Sequence, residues 1–178
     1  MRIIAGRWKG RALAAPEGRD TRPTNIRARQ AVFDILAHAP WCELDGAKVL
    51  DVFAGTGAYG LEALSRGAAS ASFIEMASPA LAALKANIAA CKAAEVKIVA
   101  ADALNPPSGT PHDLVFLDPP YGQALVAPAL KVLAAKGWIA PGAVIVAELG
   151  PGEALDVAEV LAERSHGKAH LKIWQFGQ

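Results

Sequence analysis

Cysteine is nearly absent from this 178-residue chain: only Cys42 and Cys91 occur, far apart and without the companion spacing of a metal site. A disulfide scaffold and a cysteine-ligated metal are thereby excluded, both thiols read as passive, and a reducing cytoplasm is the expected setting. Histidine is sparse as well. His38, His112, His166 and His170 are scattered, form no Ser-His-Asp arrangement and read as surface or loop residues, so no metal site is expected. No apolar run approaches the length of a bilayer crossing, and Met1–Arg7 has no signal-peptide core, so no membrane association is expected. Internal repeats are missing too, and beyond an alanine bias so are low-complexity stretches. Net charge is only +1, yet it is unevenly placed. Residues 1–30 carry eight basic side chains against Glu17 and Asp20, a net +6, which leaves −5 for the rest. A basic arm on a neutral-to-acidic body fits either an anionic partner, nucleic acid above all, or a merely solvated face.

What is present is apolar. Hydrophobic residues make up 53% and charged ones 20%, enough for a single compact domain with a sizeable core and, as far as the sequence demands, a monomer. Arg2–Gly6 and Gly10–Leu13 read as two short strands about a turn at Trp8-Lys9-Gly10. Thr24 or Asn25 then caps a helix to about His38, with Ile26, Val32, Phe33 and Leu36 on one face. Arg29 falls inside that apolar stripe, where it either snorkels outward or faces a bound anion. From residue 48 strands and helices alternate: strands at 48–53, 72–75, 96–99, 114–118 and 143–148, and helices at 57–66, from an N-cap at Ser78, and at 125–136. A closing hairpin over 155–162 and 168–176 follows, its first half readable as a helix. The pattern predicts a doubly wound α/β fold with a mostly parallel sheet.

In such a sheet ligands sit at the carboxyl ends of the strands. Those ends carry Asp51, Glu75, Asp102 and Asp118. Gly55-Thr56-Gly57-Ala58-Tyr59-Gly60 satisfies the dinucleotide pattern G-x-G-x-x-G, with Glu75 about 20 residues further on. Asp51 stands against that reading, because a pyrophosphate on this loop would meet its carboxylate without compensation. A cofactor bearing a sulfonium and an α-ammonium would gain from it, and S-adenosylmethionine is such a cofactor. Glu75 would then accept two ribose hydroxyls, Asp102 with Ala103 the adenine amine, and Met76 would lie on the adenine face.

Asp118-Pro119-Pro120-Tyr121 ends an apolar strand with two prolines, which remove two backbone donors and hold the chain extended. The corner offers a carboxylate, the Pro119 carbonyl and the Tyr121 ring. It fits a strand end with a surface tyrosine, or a grip for a flat group bearing an amine.

Asp51-Val52-Phe53-Ala54-Gly55-Thr56-Gly57 taken with Asp118-Pro119-Pro120-Tyr121 resembles the class I S-adenosylmethionine-dependent amino-methyltransferases. Met1–Gly6, Arg22-Pro23-Thr24, Arg27, Arg29 and Phe33 narrow the resemblance to the RsmD family, bacterial 16S rRNA guanine-N2 methyltransferases, over nearly the whole chain. The resemblance implies a seven-stranded Rossmann-like sheet. Residues 1–40 would form a basic RNA-binding extension and 41–178 one S-adenosylmethionine-binding unit. It implies Asp118, Pro119 and Tyr121 as catalytic; Asp51, Phe53, Gly55, Gly57, Glu75, Met76, Asp102, Ala103 and Asp118 about the cofactor; and Arg7, Arg11, Arg22, Thr24, Arg29 and Tyr121 against RNA. The implied substrate is rRNA in an assembling small subunit, with ribosomal proteins as possible neighbours. The family's pattern has acids where Ile26 and Gln30 stand, so ion pairs there are missing. Two other readings remain at this point: an amino-methyltransferase of DNA or another RNA, and a non-catalytic RNA-binding assembly factor.

Overall fold

The computed structural model describes residues 1–16, 23–167 and 169–177. Its elements in chain order are α1 (Pro23–His38), β1 (Lys48–Val52), α2 (Ala58–Ser65), β2 (Ser70–Glu75), α3 (Ser78–Cys91), β3 (Val96–Ala100), β4 (His112–Leu117), α4 (Val126–Ala135), β5 (Ile139–Leu149), β6 (Ala162–His166) and β7 (Ala169–Gln175). They build a seven-stranded sheet of order β3-β2-β1-β4-β5-β7-β6. β1 to β5 run parallel, and β7 pairs antiparallel with both β5 and β6. The chain winds outward from β1 to β3, then crosses back to β4 beside β1. That reversal places the topological switch point between β1 and β4.

Alternation explains why the central strands read as unbroken apolar runs. Val49, Leu114 and Val144 stand in register across β1, β4 and β5 and face one layer, with Phe73, Phe116, α1, α2 and α3. Leu50, Val115 and Ile145, one residue on, face the other layer with α4, Trp138 and Trp174. Both faces are covered, as a parallel sheet requires. The N-terminal segment shares the first core: Ile3 and Leu13 pack with Val32, Phe33 and Leu36 of α1.

Several elements differ from the sequence expectations. The N-terminal strands reduce to one isolated bridge, Arg2 to Ala12, with Gly10 N–H donating to the Ile3 carbonyl at 2.9 Å. Left-handed Gly6 and Gly10 curl the segment away from extended geometry. α1 already includes Pro23, a residue suited to a first turn. The N-cap of α3 is Ala77 rather than Ser78, and the Glu75 carboxylate accepts the Ala77 N–H. The closing hairpin is β6 with β7, and residues 155–161 lie outside helix and strand. His112 is buried at the start of β4, its ring within hydrogen-bond distance of Ser72 Oγ (2.9 Å) and the Trp138 carbonyl (3.1 Å). It is a core polar residue, not a surface one.

Candidate active site

The carboxyl end of β1 turns sharply. Phe53, Gly55 and Gly57 have φ of 58, 56 and 79°, so left-handed residues alternate with others through the turn. A non-glycine residue held there costs on the order of 1–3 kcal/mol, and such strain gathers at working loops. Asp51 lies beneath the turn, 2% exposed, and accepts the Gly60 N–H of α2 at 2.9 Å. Gly60 has to be glycine: a Cβ would stand 2.4 Å from the Phe73 ring. Burial, with the charge of Glu75 second, pushes the Asp51 carboxyl from 3.8 up to about 7, against the Gly60 bond and Arg29.

Glu75, at the end of β2, braces the turn. Its Oε2 accepts Gly55 N–H at 2.8 Å, and its Oε1 accepts Met76 and Ala77 N–H at 2.9 and 2.8 Å. Met76 is 66% exposed beside it. After β3, exposed Asp102 caps its own turn through Leu104 N–H at 2.9 Å, and Ala103 is buried. After β4, Asp118 is half-buried, Pro119 buried and Tyr121 exposed, its hydroxyl donating to Glu148 Oε1 at the end of β5. Burial foremost, then the charges of Glu148 and Asp51, holds the Asp118 carboxyl well above the usual carboxylate range.

The fold thus brings together all four acids read from the strand ends, Phe53, the glycine turn and the proline corner. It does not place all the arginines at a surface facing a partner. Arg29 is 1% exposed; it lies 3.8 Å from Glu62 and donates to the Arg2 carbonyl at 2.5 Å. Arg29 therefore does not snorkel outward; it is buried beside a carboxylate of the same chain. Arg7 is exposed with its guanidinium 4.3 Å over Trp8, and Arg11 is exposed and donates to the Ala90 carbonyl. Arg22 lies outside the described residues, as does the Thr24 side chain.

Four residues had gone unread. Glu148 ends the fifth strand, and tallying acids at four strand ends stopped one short. Glu62, wholly buried, accepts Ile4 and Ala5 N–H at 2.8 and 3.0 Å and pins the N-terminal segment to α2. An acid between Leu61 and Ala63 was the signal, complementary to the misfit Arg29. Asn87 joins Ala14 of the arm to the Thr56 carbonyl of the glycine turn, the latter at 3.0 Å. Tyr59 stacks on Phe116 at 4.9 Å and carries no sequence signal of its role.

These residues fit a cationic adenosyl cofactor better than a dinucleotide. The 51–57 turn contains no Lys or Arg to balance a pyrophosphate. The Gly55 N–H, which a phosphate would need, already serves Glu75. Buried Asp51 has the raised pKa of a carboxylate short of a cation.

Comparison with known proteins agrees. A family described as "Conserved hypothetical protein 95" matches residues 1–175. Ribosomal RNA small subunit methyltransferase D of Escherichia coli (strain K12) is 41% identical over 150 residues, 83% of this chain and 74% of that protein. The protein of the same name from Haemophilus influenzae is 33% identical over 184 residues, 98% and 93% of the two chains. Among solved structures, yhhF of Escherichia coli superposes with a TM-score of 0.86 at 37% identity over 98% of this chain and 97% of its own. An RNA methyltransferase from Salinibacter ruber, solved with S-adenosyl-L-homocysteine, shares the fold (TM-score 0.65, 13% identity, 84% and 90% coverage).

Proposed function

This chain belongs to the RsmD family of ribosomal RNA small subunit methyltransferases, and on that footing we propose that it methylates the exocyclic N2 amine of a guanine in 16S rRNA. It is an S-adenosylmethionine-dependent rRNA methyltransferase. The cofactor, when bound, supplies an electrophilic methyl on a sulfonium. Asp51, Glu75 and Asp102 are the side chains that would hold it, with Phe53, Gly55, Gly57, Met76 and Ala103 forming its seat.

The observation that carries the guanine-amine reading is the Asp118–Tyr121 corner beside those acids. An exocyclic amine is a poor nucleophile, because its lone pair is delocalised into the base. The Asp118 carboxylate and the Pro119 carbonyl can accept its two N–H groups, hold it in line and localise that lone pair. Tyr121 can stack on the base, and the proton the amine sheds passes to Asp118 or to water. Most of the rate then comes from positioning, with the Asp118 charge second. A duplex base would first have to be unstacked, so a loop or single-stranded guanine is the cheaper substrate. Residues 1–40, with exposed Arg7 and Arg11, would bind phosphates without reading sequence. The chain would act as a monomer on an assembling subunit whose ribosomal proteins share the contact.

Asp118→Ala tests the reading. It should bind cofactor and RNA near normally and lose methylation by about 100-fold or more. Full residual methylation contradicts the assignment.

A further inference from the structure

The register of the sheet places a second carboxylate beside Asp118. Leu117 of β4 pairs with Ala147 of β5, so Asp118 and Glu148 follow as neighbours on adjacent parallel strands, about 4.8 Å apart in the pairing direction. Because side chains alternate, both point to the layer of Phe116 and Val146. There, with Tyr59, they line a crevice too tight to hold a water molecule. Glu148 is 5% exposed and accepts the Tyr121 hydroxyl, and among the described residues no cation pairs with it.

We propose that Glu148 is a positioning residue for the transfer, which holds the Tyr121 ring beside the Asp118–Pro119 corner and acts on Asp118 as a second negative charge. The inference rests on the amine-acceptor role of Asp118 proposed above. An ionised Asp118 accepts an amine N–H, whereas a protonated one presents a donor instead. Two neighbouring carboxylates resist ionising together, and the second to ionise becomes the stronger proton acceptor. Among the described residues the groups facing Asp118 are Glu148 from β5, Asp51 from β1 and Tyr59 from α2, with Arg29 of α1 acting on Asp51 and Tyr59. Among these Glu148 is the one that also holds Tyr121.

The test separates charge from hydrogen bond. Glu148→Gln keeps an acceptor for Tyr121 and removes the charge, so the acid limb of the kcat/KM profile should move to lower pH by about one unit. Tyr121→Phe keeps the charge and removes the bond, so KM for the RNA should rise about fivefold with the acid limb in place. Carbon-13 titration of the Asp118 carboxyl in cofactor-free protein reads the same coupling without any reaction. It should shift to lower pH in Glu148→Gln and stay in place in Tyr121→Phe, which keeps the charge. A curve that Glu148→Gln leaves unmoved, or that Tyr121→Phe moves as far, overturns the inference. A coupled titration in an enzyme that methylates no guanine keeps the pair and overturns the substrate reading.

Discussion

Asp51 carries a charge cost that a bound cation would relieve. Its carboxyl ionises at about 7 in the folded protein, against 3.8 ordinarily, because it is buried without a close cation. Between those values the folded chain binds a proton that the unfolded chain does not, so stability falls as pH rises from about 4 through 7. A cation bound above it favours the ionised form and expels that proton. Calorimetric titration with S-adenosylmethionine at pH 6 to 6.5 should therefore give an enthalpy that depends on the ionisation enthalpy of the buffer. At pH 8.5 that dependence should vanish, and in Asp51→Asn it should be absent throughout. Residues such as this were legible because a carboxylate at a strand end beside a glycine turn has few structural reasons to be there. Glu62 and Arg29 were harder, since each looks anomalous alone and the pair makes sense only once α1 and α2 lie side by side.

At the scale of elements, the strands were readable because both faces of a parallel sheet are apolar. The N-terminal segment was over-read as two strands. Its apolar residues do face the core, but Gly6 is left-handed (φ +82°) and lies so close to α2 that a Cβ would sit 1.8 Å from the Ser65 carbonyl oxygen. That contact is tertiary, and no local pattern announces it. Gly6→Ala should therefore unseat the segment from α2 while leaving the sheet intact. Expected results are a loss of stability of about 2–4 kcal/mol, from strain plus a displaced contact, and faster proteolysis within residues 1–16. A melting curve and cleavage pattern like those of the wild type would show that the segment adapts without cost. The span before β6 was also misread, for a related reason: its alternating residues resemble a strand, yet β7 pairs with 162–166 instead.

Across the whole molecule the charges are divided between a basic beginning and an acidic set of strand ends. Exposed Arg7 and Arg11 belong to the first group. Reversing both charges should weaken RNA binding and reduce the slope of its logarithmic salt dependence by about one to two, while cofactor affinity stays at the wild-type value. An unchanged slope would make them bystanders. The order of the sheet brings the acids to one edge and the amine corner beside them, and no stretch of sequence alone could place Asp118 next to Glu148. The most direct measurement follows transfer of labelled methyl from S-adenosylmethionine to small ribosomal subunits lacking their own guanine-N2 methylation, with naked rRNA and DNA alongside. The account predicts label on the N2 of one guanine in the subunits. Label on DNA alone, or none anywhere although the cofactor binds, would contradict it.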